Sequence, residues 1–217
     1  MFIHSHSLRY LFFIGVFLLP LNMCITSCRT FPLLDLTGKD DGQVIALQPF
    51  TGYDTTGMYL LQTAIGQFYN RKVVVLAPIK LQPSWFVPVT EAYCADSIIA
   101  SLSKLRKGKM VEVIGLTSSI IFTEKHYKEK PYFDNRIIGL GYQPGTACII
   151  SDYRIHSFYA DITRQRLRRA VIHEVGHNMG LPHCHNEECV MNVKNLGDDY
   201  CKECRKQLGI TIDNYEY

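Results

Sequence analysis

Residues 173–183 read His-Glu-Val-Gly-His-Asn-Met-Gly-Leu-Pro-His, and this is the most informative stretch of the 217-residue chain. The apolar spacing of the residues before and within it predicts a long helix that Asp161 caps and that ends at Gly180. Two residues four apart on a helix differ by only about 40° in direction. His173 and His177 can therefore reach one metal ion from the same face of the helix.

The other polar residues of the stretch complete a candidate zinc site. Glu174 lies about 100° round the helix from His173, so it is not expected to be a ligand and can face a metal-bound water as general base. Gly180 allows the chain to reverse with a positive φ, which brings His183 toward the same ion. Three neutral nitrogen ligands leave a coordination position open, and zinc held in this way lowers the pKa of bound water to about 7. The motif thus predicts hydrolysis, with a peptide carbonyl as the natural target.

Four cysteines follow the histidines at Cys184, Cys189, Cys201 and Cys204. The last two have the two-residue spacing that is usual for thiolate zinc sites, and the four-residue spacing of the first two is also permitted. Four thiolates fill the coordination of zinc, so such a site is structural and does not hydrolyse substrate. A pair of disulfides is the alternative if the protein is exported.

The run from His173 to His183 resembles the zinc motif of the metzincin peptidases, and Met191 stands where that family has the methionine of a turn beneath the metal. With the four cysteines, the sequence is similar to the archaemetzincins, which carry a second, four-cysteine zinc site. The resemblance implies a zinc-dependent peptidase with one catalytic and one structural Zn²⁺, acting on a peptide or protein substrate. Residues 111–121 and 139–153 look like the central strand and the substrate-lining edge strand of that family.

The segments before the motif alternate between strand-like and helix-like patterns. This alternation predicts an α/β (α+β) fold with a twisted, mostly parallel sheet. The resemblance further implies that the chain forms a metzincin-like single domain and that the edge strand of the sheet is antiparallel. The predicted strands are 44–47, 73–76, 111–116, 137–142 and 146–151, the last two forming a hairpin; the predicted helices are 58–70 and 93–105, and 120–136 is predicted to be an irregular loop.

The first 27 residues predict a signal peptide, with Arg9 as a basic start and Tyr10–Leu21 as the apolar run. Ile25-Thr26-Ser27-Cys28 resembles the bacterial lipobox, which predicts a lipid-anchored protein of the cell envelope with Cys28 as its modified N-terminus. An ordinary secretory peptide is the alternative. Residues 28–43 are then a tether and 44–217 the catalytic domain. The chain departs from the family pattern in two ways. Most members carry no obvious export signal, and their segment between the methionine and the last two cysteines is longer than residues 192–200 here.

Composition restricts the remaining functions. The net charge of +3 is small and spread along the chain, which argues against nucleic acid as a partner, and the cysteines lack the interleaved aromatic and basic residues of a nucleic-acid-binding zinc knuckle. We expect a monomer, and we expect the arginine cluster at 164–169 to be solvated. His185 is expected to be exposed or to contact a metal ligand without binding the metal, and Cys94 and Cys148 are expected to be buried free thiols.

The alternative function is that of a catalytically silent, zinc-stabilised envelope lipoprotein that acts as a binding module. The intact Glu174 counts against this alternative.

Overall fold

A five-stranded sheet forms the framework of residues 42–127 and 130–209, which the computed structural model describes. The predicted signal peptide, the lipidation site Cys28 and the tether up to residue 41 lie outside the described residues, so these boundaries stay predictions. The elements in chain order are β1 (Val44–Pro49), α1 (Met58–Tyr69), β2 (Lys72–Val75), β3 (Phe86–Val87), β4 (Ala92–Cys94), α2 (Ala95–Leu102), β5 (Met110–Thr117), β6 (Ile121–Tyr127), β7 (Lys130–Asp134), β8 (Gly139–Gly141), β9 (Ala147–Ser151), α3 (Ala160–Asn178) and α4 (Lys202–Gln207).

The strand order in the main sheet is β2-β1-β5-β9-β8. β1 pairs in parallel with β2 and β5, and β5 pairs in parallel with β9, whereas β8 is antiparallel to β9. The predicted mostly parallel sheet with an antiparallel edge strand is therefore confirmed, and so is the predicted hairpin between residues 137 and 151.

Helices cover both faces of the sheet, which explains why its central strands are apolar almost throughout. α1 and α3 pack on the face that carries Ile45, Ile114 and Ile150, and α2 packs on the face that carries Val113 and Ile149. The long helix α3 is the predicted one. Among the helices that the structure describes, none is long and apolar enough to cross a membrane.

The predicted irregular loop at 120–136 is wrong, because β6 and β7 form an antiparallel hairpin in a second sheet of order β3-β4-β6-β7. Pro131 suggested a loop, but it lies on β7, an outer strand, where a proline is tolerated because it only lacks a donor for a further partner. The predicted helix at 93–105 is also shorter than expected. Residues 92–94 pair as β4, and a 3₁₀ turn at 103–105 follows α2.

The start of α3 differs from the prediction as well. Asp161 does not cap the helix, because the N-cap residue is Tyr159, and no side chain caps it. Asp161 instead lies in the first turn and forms an ion pair with Arg164 on the helix surface. The Oγ1 of Thr163 accepts a hydrogen bond from the backbone N–H of Ser157 at 2.8 Å, which fixes the approach of the chain to the helix. In the first turn, the carboxylate of Asp161 still interacts favourably with the positive end of the helix dipole.

Candidate metal centre

The three predicted histidines converge at the end of α3. His173 and His177 lie one turn apart, and Gly180, with a φ of 98°, reverses the chain so that His183 faces them. The Nε2 atom of His177 is 3.1 Å from Nε2 of His173 and 3.2 Å from Nε2 of His183. One ligand atom from each histidine lies within 4.8 Å of the others, so all three can hold one metal ion.

Backbone carbonyls fix the orientation of two of these imidazoles. Nδ1 of His173 donates to the carbonyl of Val190 at 2.7 Å, and Nδ1 of His177 donates to the carbonyl of Leu181 at 2.8 Å. Because a carbonyl only accepts, the proton lies on Nδ1 and leaves the lone pair of Nε2 toward the common point. Burial lowers the pKa of His173 to about 4, and it also lowers the pKa of His177 and His183. Neutral imidazoles with free Nε2 atoms fit the ligand chemistry of Zn²⁺.

Glu174 is buried between α3 and the edge strand β8. Burial raises the pKa of its carboxyl group to about 8, and a hydrogen bond from the backbone of Gly141 acts in the opposite direction. A divalent cation held by the neighbouring histidines also favours the ionised carboxylate. A Cβ atom on Gly139 would lie 2.7 Å from the Cγ of Glu174 and 2.8 Å from its Oε1. Only glycine at this point of β8 lets the strand and the carboxylate share the space.

The segment after the histidines forms the floor of the site. Met191 is fully buried, and a Cβ atom on Gly176 would lie 2.5 Å from its Sδ, so the methionine packs directly against the backbone of α3. The hydroxyl of Tyr200 donates to the carbonyl of Ile172 at 3.0 Å and lies 3.0 Å from the hydroxyl of Tyr69. Sequence reasoning missed Gly139, Gly176 and Tyr200; the paired glycines of Gly139-Leu140-Gly141 were the only signal of a close approach.

The four predicted cysteines also meet. The Sγ atoms of Cys184 and Cys201 are 3.7 Å apart, as are those of Cys189 and Cys204, and all four lie within 4.8 Å of one another. A disulfide needs about 2.05 Å between its sulfurs, and the described cysteines form none. Four sulfurs at about 2.3 Å from a tetrahedral zinc ion are about 3.8 Å apart. The backbone N–H groups of Asn186 and Cys201 donate to two of these sulfurs, at 3.4 and 3.3 Å, so the geometry favours a metal over disulfides.

The remaining residues singled out in the sequence lie away from the histidines. His185 is exposed and is not part of the three-histidine group. Cys148 is buried and Cys94 half-buried, both as free thiols, and burial raises the pKa of the Cys148 thiol. The arginine cluster is only partly solvated, because Arg169 forms a two-pronged ion pair with Asp198, with both N–O distances 2.8 Å.

A mostly parallel sheet, an antiparallel edge strand beside Glu174 and a three-histidine site over a buried methionine together define a metallopeptidase of the metzincin type. The model of peptidase family M54 matches residues 63–209. The chain belongs to this family, and it is accordingly a zinc-dependent metallopeptidase.

Several relatives of the chain carry the name archaemetzincin. The protein from Halobacterium salinarum is 25% identical over 162 residues, which cover 67% of this chain and 88% of that protein. The protein from Natronomonas pharaonis is 30% identical over 134 residues, or 54% of this chain and 72% of the relative. The archaemetzincin structure from Methanopyrus kandleri has a TM-score of 0.63 at 23% identity, over 77% of this chain and 93% of that one. The structure from Archaeoglobus fulgidus, complexed with malonate, has a TM-score of 0.62 at 22% identity, over 76% and 99%. The resemblance to archaemetzincins is therefore confirmed.

Proposed function

We propose that this protein hydrolyses peptide bonds at a zinc ion held by His173, His177 and His183, with the carboxylate of Glu174 as general base. The observation that carries the proposal is the convergence of the three Nε2 atoms at the end of α3, on which the residue directly after His173 is a buried glutamate. When bound, the zinc ion supplies Lewis acidity to the scissile carbonyl and to water in the site. Glu174 takes the proton from the attacking water at its carboxylate oxygen and delivers it to the nitrogen of the leaving amine.

The edge strand β8 gives this chemistry a place for the substrate. β8 pairs with β9 on one side, and among the described strands no other pairs with it. A peptide added to the outer edge of β8 would hydrogen-bond to the strand backbone in an extended conformation. Because Gly139 of β8 touches the side chain of Glu174, such a peptide would pass close to the general base.

The role of Glu174 is tested by Glu174→Gln, which keeps the shape of the side chain and removes the base. We expect kcat for peptide hydrolysis to fall by at least about a hundredfold, with the zinc content unchanged. Glu187→Gln is the matched control, since Glu187 is exposed and belongs to neither ligand group. Full activity of Glu174→Gln would contradict the mechanism. A wild-type protein that binds zinc yet cleaves no peptide from a diverse library would instead favour the silent binding module.

We also propose that the chain holds two zinc ions, one at the histidines and one at the four cysteines. The sulfur distances near 3.7 Å support the second site. Metal analysis of the protein in excess zinc should give two ions for the wild type and one each for His183→Ala and Cys201→Ser. A wild-type content of one, unchanged in Cys201→Ser, would contradict the structural site.

The export of the protein is a separate proposal that rests on sequence alone. We propose that residues 1–27 are removed and that Cys28 is acylated, which places a monomeric peptidase at a bacterial cell envelope. Mass spectrometry of the mature N-terminus should show a diacylated Cys28, and Cys28→Ser should abolish the modification. Cys24→Ser, which changes the other cysteine of the first 28 residues, should not. An unmodified or uncleaved N-terminus refutes the lipid anchor.

A further inference from the structure

A cavity of about 710 Å³ lies between the first half of α1 and the first half of α3. It opens beyond the carboxyl ends of β1 and β9, where Tyr53 and Asp152 follow the two strands. On α3 its lining runs from Ala160 to Arg168, whereas the metal ligands begin at His173. No metal ligand described above lines the cavity, so it is a site distinct from the metal centre.

The sheet topology makes this position a favourable one for a ligand. The cavity lies outside the carboxyl ends of two parallel strands of an open α/β sheet, and this is the end at which such sheets commonly bind ligands. The side walls are apolar, with Met58 and Leu61 from α1 facing Leu167 from α3.

A buried carboxylate forms part of the lining. The side chain of Asp152 is only 7% exposed, and its Oδ1 accepts no hydrogen bond from any described residue. The imidazole Nε2 of His156 lies 3.5 Å from this oxygen. Asp54 also lines the cavity, and its carboxylate accepts a hydrogen bond from the backbone N–H of Thr56 at 2.8 Å. Asp54 and Asp152 thus bring two carboxylate groups to this end of the cavity, and His156 is the imidazole beside them.

The cations on the opposite wall do not offset that charge. Arg164 forms an ion pair with Asp161 at the surface. Arg168 donates a hydrogen bond of 2.9 Å to the backbone carbonyl of Asp198 and lies 3.7 Å from its carboxylate. Both guanidinium groups thus already have acidic or carbonyl partners, whereas the buried Oδ1 of Asp152 has only the imidazole of His156, at 3.5 Å, as a cationic partner among the described residues.

We propose that this cavity binds a small hydrophobic amine, with its ammonium group at Asp152 and its apolar body between α1 and α3. A buried carboxylate is stabilised by a hydrogen-bonded cation, and an alkylammonium group brings one with an apolar stem attached. The volume falls within the roughly 300–1,000 Å³ of small-molecule sites. Phe158, which lines the cavity although its side chain is 97% exposed, presents an aromatic ring to a cation. The site does not depend on the proposed peptidase mechanism.

Isothermal titration calorimetry of the full, zinc-loaded chain tests the proposal with 4-phenylbutylamine and with 4-phenylbutanol, its uncharged counterpart. We expect the amine to bind at least about tenfold more tightly than the alcohol. Asp152→Asn should remove that preference and leave the alcohol unaffected. Glu91→Gln, which removes one exposed negative charge outside the cavity, should change neither affinity. Equal binding of the two compounds, or an unchanged amine affinity in Asp152→Asn, overturns the proposal.

A second variant separates loss of the site from loss of the fold. Ala64→Leu enlarges a half-buried side chain of the cavity wall without changing charge. It should weaken amine binding by at least about tenfold, while the melting temperature and the peptidase activity stay near those of the wild type. Amine binding that survives in Ala64→Leu lies elsewhere on the protein and refutes the site, even if Asp152→Asn does not fold.

Discussion

Glu112→Gln should make the stability of the protein less sensitive to pH. Glu112 lies on the central strand β5, is almost fully buried, and accepts a hydrogen bond of 2.6 Å from Nδ2 of Asn178 on α3. Burial raises its pKa from the ordinary 4.5 to about 8, although Asn178, Arg106 and Cys148 act in the opposite direction. The carboxyl group is therefore protonated in the folded protein at neutral pH and ionised in the unfolded chain.

The direction in which stability changes with pH follows from the raised pKa of Glu112. The folded state binds the proton more tightly, so the free energy of unfolding is highest below pH 4.5, falls as the pH rises to about 8, and is constant above that. At about 1.4 kcal/mol for each pH unit, the full loss has an upper limit of about 5 kcal/mol. The amide side chain of the Glu112→Gln variant does not titrate, and its Oε1 can still accept the hydrogen bond of Asn178. The variant should match the wild type near pH 5 and exceed its stability by several kcal/mol near pH 8.

Urea unfolding of the zinc-saturated proteins at about pH 5, 6.5 and 8 measures this difference. Other groups that titrate, Glu174 included, contribute to both proteins and cancel in the comparison. Glu91→Gln, at an exposed position, should show a constant difference from the wild type at every pH. A difference between Glu112→Gln and the wild type that does not change with pH would refute the reasoning.

Three further predictions concern the site and its supports. Gly139→Ala should lower kcat by about a hundredfold with zinc retained, because the new Cβ displaces Glu174; an unaltered kcat would contradict the contact. In His183→Ala, which leaves the four cysteines as the proposed zinc site, a chelator should lower the melting temperature and a thiol reductant should not, whereas disulfides would give the reverse. Asp198→Asn should cost about 0.5–1 kcal/mol in urea unfolding, because its pair with Arg169 is partly exposed, and the cost should shrink at about 1 M salt. A cost that does not change with salt would exclude an ion pair as its source.

The parts of the fold that the sequence predicted correctly are those with a local signal. The helical period before His173, the glycine at position 180 and the β-branched runs of the sheet each show in a short window of residues. The hairpin of β6 and β7 was missed, because its pairing joins residues of two segments and Pro131 outweighed the strand pattern at an outer strand.

The candidate site also has a part that the sequence predicted and a part that it did not. The metal ligands are close in sequence, so spacing alone indicated them. The contact of Gly139 with Glu174 joins β8 to α3, and the hydrogen bond of Asn178 to Glu112 joins α3 to β5. Each of these contacts depends on how separate elements pack, which no single window of sequence records. The buried carboxyl of Glu112 inside an apolar strand was nevertheless a visible exception to the pattern.

Three consecutive residues connect the cysteine cluster to the three-histidine site. Cys189 directs its sulfur to the cysteine cluster, Val190 offers its carbonyl to His173, and Met191 packs beneath α3. The backbone N–H of Cys184 also bonds to the carbonyl of Met191 at 2.9 Å. A displacement of Cys189 therefore also moves the carbonyl that orients His173 and the methionine beneath α3. A change at the cysteine cluster reaches the histidine site through the backbone, with no side chain in between.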